Sequence, residues 1–242
     1  MPLSAPTVAE LTRYWAGFFG CPPAALDQDA VQVLPHAELE AYRGIYCFRR
    51  GATALVSVPP DELAQWQTRL AGLDAATLTD AAAMAALLGF PAERLIGPAS
   101  LAYADEATLR PLPTAGTRLL TAIDEEAHAA LKAACSPLEW EHGGSELGLL
   151  PLSGRFVRGA LVALAGYELW GERIAHIAVI THPAHRGQGY GAEAVSLLAE
   201  GIVARGLIAQ YRTLCANTPS LRIGASLGFV PYAETLAIRL KG

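Results

Sequence analysis

Arg186, Gly187, Gly189 and Gly191 crowd into one short stretch, His182-Pro183-Ala184-His185-Arg186-Gly187-Gln188-Gly189-Tyr190-Gly191. Before it lies the apolar run of residues 174–180, which reads as a buried strand. After it, in residues 192–205, Val195, Leu198 and Ile202 recur at helical spacing. A glycine-rich turn between a strand and a helix leaves backbone N–H groups free at the helix N-terminus. Those donors, with the positive end of the helix dipole, suit a phosphate or diphosphate. Glycine also removes the Cβ atoms that would hold a ligand off, and it allows positive φ. Arg186 adds a cation at the rim.

Spacing separates the loops that share this logic. A Walker loop needs a lysine followed by Ser or Thr, which is missing here. A dinucleotide fingerprint needs G-x-G-x-x-G and an acid about twenty positions on. This chain has G-x-G-x-G, and the strand expected over residues 211–215 leads into Asn217. The pattern satisfied is R-x-x-G-x-G, through Arg186, Gly189 and Gly191. It resembles the acyl-CoA pyrophosphate loop of the GNAT superfamily of N-acetyltransferases. The continuation resembles it too: Thr218 suits an N-cap, Pro219 the first helical position and Gly228 the residue past the helix end. Asn217, Ser220, Gly228 and Phe229 match the superfamily's second cofactor segment.

What the resemblance implies is transfer of an acetyl group from acetyl-CoA to a primary amine of a small molecule or protein, by direct attack. Arg186, Gly187, Gln188, Gly189, Tyr190 and Gly191 would hold the diphosphate. The backbone of Val179, Ile180 and Thr181 would meet the pantetheine arm, with Asn217 and Ser220 completing the site. One N–H in that strand would polarise the thioester carbonyl. The amine must lose a proton, and His176 and Glu168 are the candidate bases. The commonest position for a base in relatives falls on Ala175, and strand residues alternate between faces, so His176 reads equally as a core histidine. Glu168 reads also as a solvated strand end. Many relatives carry a tyrosine seven residues after the Asn to protonate the departing thiolate, and here that position is Gly224. A thiol near pKa 8.5 leaves fairly well without one, and solvent or Ser220 could supply the proton. The alternative is a catalytically silent acyl-CoA-binding sensor or interaction module. His182 and His185 flank the loop without a third ligand, so no metal is expected. Glu139, Trp140, Glu141 and His142 fall in an expected loop over residues 136–148, where relatives line the acceptor pocket.

The elements that must carry these residues follow from pattern. Strand, helix, loop, three antiparallel strands, glycine loop, helix, strand, short helix and final strands are expected over residues 117–242. This is an α/β (α+β), GNAT-like fold with a mixed, mostly antiparallel central sheet flanked by helices. The Pro- and Gly-rich residues 111–116 read as a linker, so residues 1–116 form a smaller N-terminal α/β accessory domain. Within it a helix is expected over 9–19, a hairpin from 44–48 and 52–58, and helices over 61–70 and 80–88.

Whole-chain properties narrow the setting. Hydrophobic residues make up 52% of 242 and charged ones 17%, which supports a sizeable core. A net charge of −5 argues against broad nucleic-acid binding. The four cysteines lack zinc or disulfide spacing. There is no signal-peptide pattern and no apolar run of membrane-spanning length. The expectation is a cytoplasmic protein without membrane partners, and the resemblance is compatible with a homodimer.

Overall fold

The computed structural model describes residues 1–39, 42–89, 95–148 and 150–240. Its chain divides into two compact units. The first comprises Met1–Ser4, Ala102–Arg212 and Thr218–Val230, and the second Ala5–Leu101, Thr213–Asn217 and Pro231–Gly242.

In the second unit, α1 (Ala5–Phe19) is followed by β1 (Val31–Pro35), β2 (Gly44–Arg50), β3 (Thr53–Val58), α2 (Leu63–Arg69), α3 (Ala81–Leu88) and β4 (Leu95–Ala104), whose last residues enter the first unit. The expected hairpin is present, with Tyr46 opposite Ser57 and Arg50 opposite Thr53. The strand β1 pairs parallel to β3. On the other side of β2 lies β10 (Val230–Arg239), antiparallel, with Leu236 opposite Cys47. One face packs Trp66 of α2, Leu70 just beyond it, and Met84 and Leu88 of α3 over Ile45, Val56 and Ile238. The opposite face is aromatic: Trp15 and Phe19 of α1 lie against Phe48, the Trp15 and Phe48 ring centres being 4.8 Å apart. Asp80 caps α3 by accepting from the Ala83 N–H at 2.8 Å, and Gly89 ends it in the left-handed conformation.

In the first unit the elements are β5 (Thr117–Leu119), α4 (Glu125–Ala134), α5 (Pro137–Gly143), β6 (Ser153–Val157), β7 (Ala160–Trp170), β8 (Ile174–Thr181), α6 (Tyr190–Ala204), β9 (Ile208–Leu214) and α7 (Thr218–Ser226). The strands run in the order β9-β8-β7-β6-β5. All of these pairings are antiparallel except β8–β9, which is parallel. This is a mixed, mostly antiparallel sheet with helices on both faces. On one face Ala175 and Ile177 of β8, Ala209 and Tyr211 of β9 and Ala165 and Tyr167 of β7 pack under Ala194, Val195 and Leu198 of α6. On the other, Leu131 and Cys135 of α4 cover Leu164 and Ile180. Strand alternation therefore puts Glu168, His176, Gln210 and Arg212 on the face opposite α6.

Part of the expected loop over residues 136–148 is a helix. Ser136 accepts from the Glu139 N–H at 3.3 Å while the Glu139 carboxylate takes the Ser136 N–H at 2.9 Å, a reciprocal cap that makes so short a helix possible. Pro137 at its first position has no N–H to lose. The strand β4 has no counterpart in the sequence pattern, because Gly97-Pro98 interrupts its apolar run.

Candidate active site

The strands β8 and β9 part company. Their register runs from Ile174 opposite Ile208 to Ile177 opposite Tyr211 and stops there. Meanwhile β8 continues through Ala178, Val179, Ile180 and Thr181, still paired to β7. The His182 N–H donates to the Val162 carbonyl of β7 at 2.9 Å, and Arg173 on the other side accepts from the Ile208 N–H at 2.8 Å. Backbone groups alternate along a strand, so those of Val179 and Thr181 face the opening while those of Ile180 turn to β7. The Ile180 side chain is buried against α4. Of the three residues expected to meet a pantetheine arm, two present main-chain groups to the gap.

Immediately beyond β8 comes the glycine loop. Gly187 and Gly189 have φ of 76° and 82°, a region that residues with a Cβ adopt only under strain. Gly189 occupies the N-cap position of α6 with no capping side chain, so the first-turn N–H groups face outward. A Cβ on Gly191 would lie 2.9 Å from the Thr181 hydroxyl, which makes glycine a packing requirement there as well. Tyr190 is flanked by His185, whose ring centre is 6.2 Å away, and by the Arg155 guanidinium at 5.0 Å. Arg155 also pairs with Glu193 at 2.8 Å and so offsets the one acid in the first turn of α6. Gln188 is exposed.

Arg186 is engaged on the α5 side. Its Nε donates to the Thr181 carbonyl at 3.2 Å and its Nη2 to Glu139 Oε1 at 2.6 Å. The Ser136 N–H and then Arg186 hold the Glu139 carboxyl down at about 2. At the far end of α5, Gly143 sits over the Val179 carbonyl, where a Cβ would come within 2.5 Å. Thus α5, whose residues 139–142 were expected in a loop, is fitted to the edge of the gap by both ends.

On the face opposite α6, a polar row crosses the strands. Glu168 is opposite His176 in the β7–β8 register, and His176 is opposite Gln210 in β8–β9. Gln210 donates to the Tyr103 hydroxyl at 2.8 Å, and Glu168 accepts from the Trp170 indole N–H at 2.7 Å. Trp170 stacks on His176 with ring centres 4.6 Å apart. Burial pulls the His176 imidazole down to about 4, opposed by Glu168 and the Gln210 carboxamide and reinforced by Arg212. Neither His176 Nδ1 nor Gln210 Oε1 completes a hydrogen bond of normal geometry, although both are buried. Gly166 and Ala178, opposite one another, keep the sheet surface low beside this row, with the Ser145 side chain against Gly166. The alternation that left His176 open from sequence therefore sets it away from α6, while Ala175 is wholly buried beneath α6.

A tyrosine hydroxyl also reaches α7, from the expected strand β9. Gly224 leaves space that the Tyr211 ring of β9 fills, with Cδ1 3.2 Å from where a Cβ would be. The Tyr211 hydroxyl bonds Ser220 Oγ at 2.8 Å, and burial raises its pKa so that it keeps its proton. Spacing in α7 alone carries no sign of this. Asn217 belongs to the second unit, where its N–H donates to the Leu214 carbonyl at 2.9 Å. Among the described residues, no three His, Cys, Asp or Glu side chains gather as metal ligands, and no helix is long and apolar enough to cross a membrane.

The family model described as FR47-like protein matches residues 156–238. No curated protein matches the chain. Among solved structures, the chain is similar to a putative GNAT-family acetyltransferase from Novosphingobium aromaticivorans, at 24% identity over 61% of this chain and 66% of that one, with a TM-score of 0.46. It is also similar to a GNAT-family acetyltransferase from Colwellia psychrerythraea, at 18% identity over 61% and 57%, TM-score 0.47. A third is a GCN5-related N-acetyltransferase from Kribbella flavida, at 21% identity over 61% and 60%, TM-score 0.44. The alignments span less than two thirds of the length of these structures. The segment matched by the FR47-like model contains β7, β8, the glycine loop, α6, β9 and α7.

Proposed function

We propose that the protein is an acyl-CoA-dependent N-acyltransferase, using acetyl-CoA and a primary amine. The observation that carries this reading is the parting of β8 from β9 directly before an uncapped glycine loop. The gap suits a pantetheine arm and the loop a diphosphate. Acetyl-CoA, held by the glycine loop and the gap, would supply a thioester there. The N–H groups of Val179 and Thr181 are turned toward that region, and such donors stabilise charge developing on an acyl oxygen. The amine nitrogen bonds to the acyl carbon and the carbon–sulfur bond breaks, its electron pair leaving on sulfur. His176 takes the proton from nitrogen, with Glu168 beside it to stabilise the resulting charge. Tyr211, through Ser220, is the proton source for sulfur, in the place where Gly224 provides none.

The decisive experiment pairs calorimetry with CoA and thiol release from acetyl-CoA across a panel of amines. Uptake of CoA and turnover on at least one amine are expected. Gly189→Asp should abolish uptake, and Tyr211→Phe should lower turnover about 10-fold or more with CoA affinity intact, within the range for general acid–base groups. No CoA uptake by folded protein overturns the reading. Uptake without turnover on any amine favours a silent binding module, a reading to which the weak basicity of His176 points.

A further inference from the structure

Arg212 is the next residue of β9 on the face of Gln210 and His176, one step beyond the last β8–β9 pair. Its position is diagonal to His176 across the parallel β8–β9 pair. It is half-buried and acts electrostatically on His176. Yet among the described residues its guanidinium has no ion pair or hydrogen bond, unlike Arg49, Arg118, Arg155 and Arg186, each of which holds a carboxylate. Across the strands the row thus reads carboxylate at Glu168, imidazole at His176, guanidinium at Arg212. Beside it Ser145 and Leu152 close over Gly166, while Ala178 opposite is half-buried. Two buried polar atoms there, His176 Nδ1 and Gln210 Oε1, complete no hydrogen bond of normal geometry, although the Gln210 carboxamide bears on the imidazole.

We propose that Arg212 binds a carboxylate on the acceptor, and that the acceptor is a small amino acid whose amine lies toward Glu168 and His176. The inference rests on the acyltransferase reading and narrows its substrate class. Charge complementarity carries it: a zwitterion matches the row end to end, whereas a simple alkylamine would leave Arg212 unpaired and a polyamine would bring it a second cation. A guanidinium also matches a carboxylate in geometry, through two parallel N–H donors. The bound carboxylate would cancel the pull of Arg212 on His176, which leaves the imidazole a better base when substrate is present. The charged groups bearing on His176 are Glu168 from β7 and Arg212 from β9.

The test compares glycine, alanine and β-alanine with their amides in the thiol-release assay. In the wild type, kcat/KM for at least one acid should exceed that for its amide about 10-fold or more. Arg212→Gln should erase the preference chiefly through KM, with CoA affinity unchanged, and Arg212→Lys should restore part of it. Independently of turnover, NMR titration of the His176 imidazole should move upward on adding N-acetylalanine and stay put with its amide. Equal use of amides, a preference that survives Arg212→Gln, or an unmoved His176 overturns the proposal. Absence of CoA uptake would instead strike the acyltransferase reading, and the His176 titration would still decide the role of Arg212.

Discussion

His176 shows what a single side chain costs a fold when it is buried neutral. Its imidazole titrates at about 4 in the folded chain against an ordinary value of 6.5, mainly because burial disfavours the charged form. Between those values the unfolded chain binds the proton and the folded chain does not. Stability from this residue is therefore present above pH 6.5 and lost as pH falls toward 4. The shift amounts to on the order of 3 kcal/mol. His176→Gln should flatten that part of the stability-against-pH curve, measured by urea unfolding at pH 7 and pH 4.5; an unchanged slope would mean that the imidazole is already solvated. The same weak basicity explains why a neighbouring charge matters to its chemistry. The sequence placed His176 in the right strand but left its facing open, and the packing of Ala175 and Ile177 under α6 decided it. The Tyr211–Ser220 bond was invisible in the sequence because the two residues meet only across the β9–α7 turn.

At the scale of elements, α5 ties the glycine loop to the open edge of β8. Its reciprocal cap, its Glu139–Arg186 pair and the fit of Gly143 on β8 hold a two-turn segment that intrinsic propensity would not hold. On the proposed reading, a bound diphosphate would compete with Glu139 for the Arg186 guanidinium. Glu139→Gln should preserve most of the cap and raise CoA affinity a few-fold, read by calorimetry; a fall in affinity would show that the pair instead pre-organises the loop. Stability should change little, as for an exposed pair. The capping residues stood in the sequence as Ser136-Pro137-Leu138-Glu139, a legible start signal. The composition around them, with Gly143-Gly144-Ser145, read as a loop because a helix this short has no amphipathic period to count. The longer elements α1, α3, α4 and α6 and the β2–β3 hairpin were legible, each having either a full apolar period or a turn of suitable residues.

At the scale of the molecule, the two units do not divide the chain at the Pro-rich stretch. Ala102 and Ala104 belong to the core of the first unit, with Leu109 and Leu112 packed against it. The Arg110 N–H donates to the Leu227 carbonyl at 2.9 Å, and the Leu112 N–H to Ser196 Oγ at 2.8 Å. Conversely, β10 pairs with β2 in the second unit. A fragment of residues 117–242 lacks both sets of partners and should lack fixed tertiary structure, measured by near-UV circular dichroism and protease resistance. A cooperative unfolding transition from that fragment would overturn this account. What the sequence alone determined was local: the glycine loop, its flanking strand and helix, and the superfamily they resemble, because positive φ, backbone donors and helical period are written in neighbouring residues. The tertiary structure alone decided which residues meet across the sheet. The end of β8–β9 pairing, the row from Glu168 to Arg212, and the return of the final strand to β2 depend on register between distant segments, and no residue encodes its partner's register.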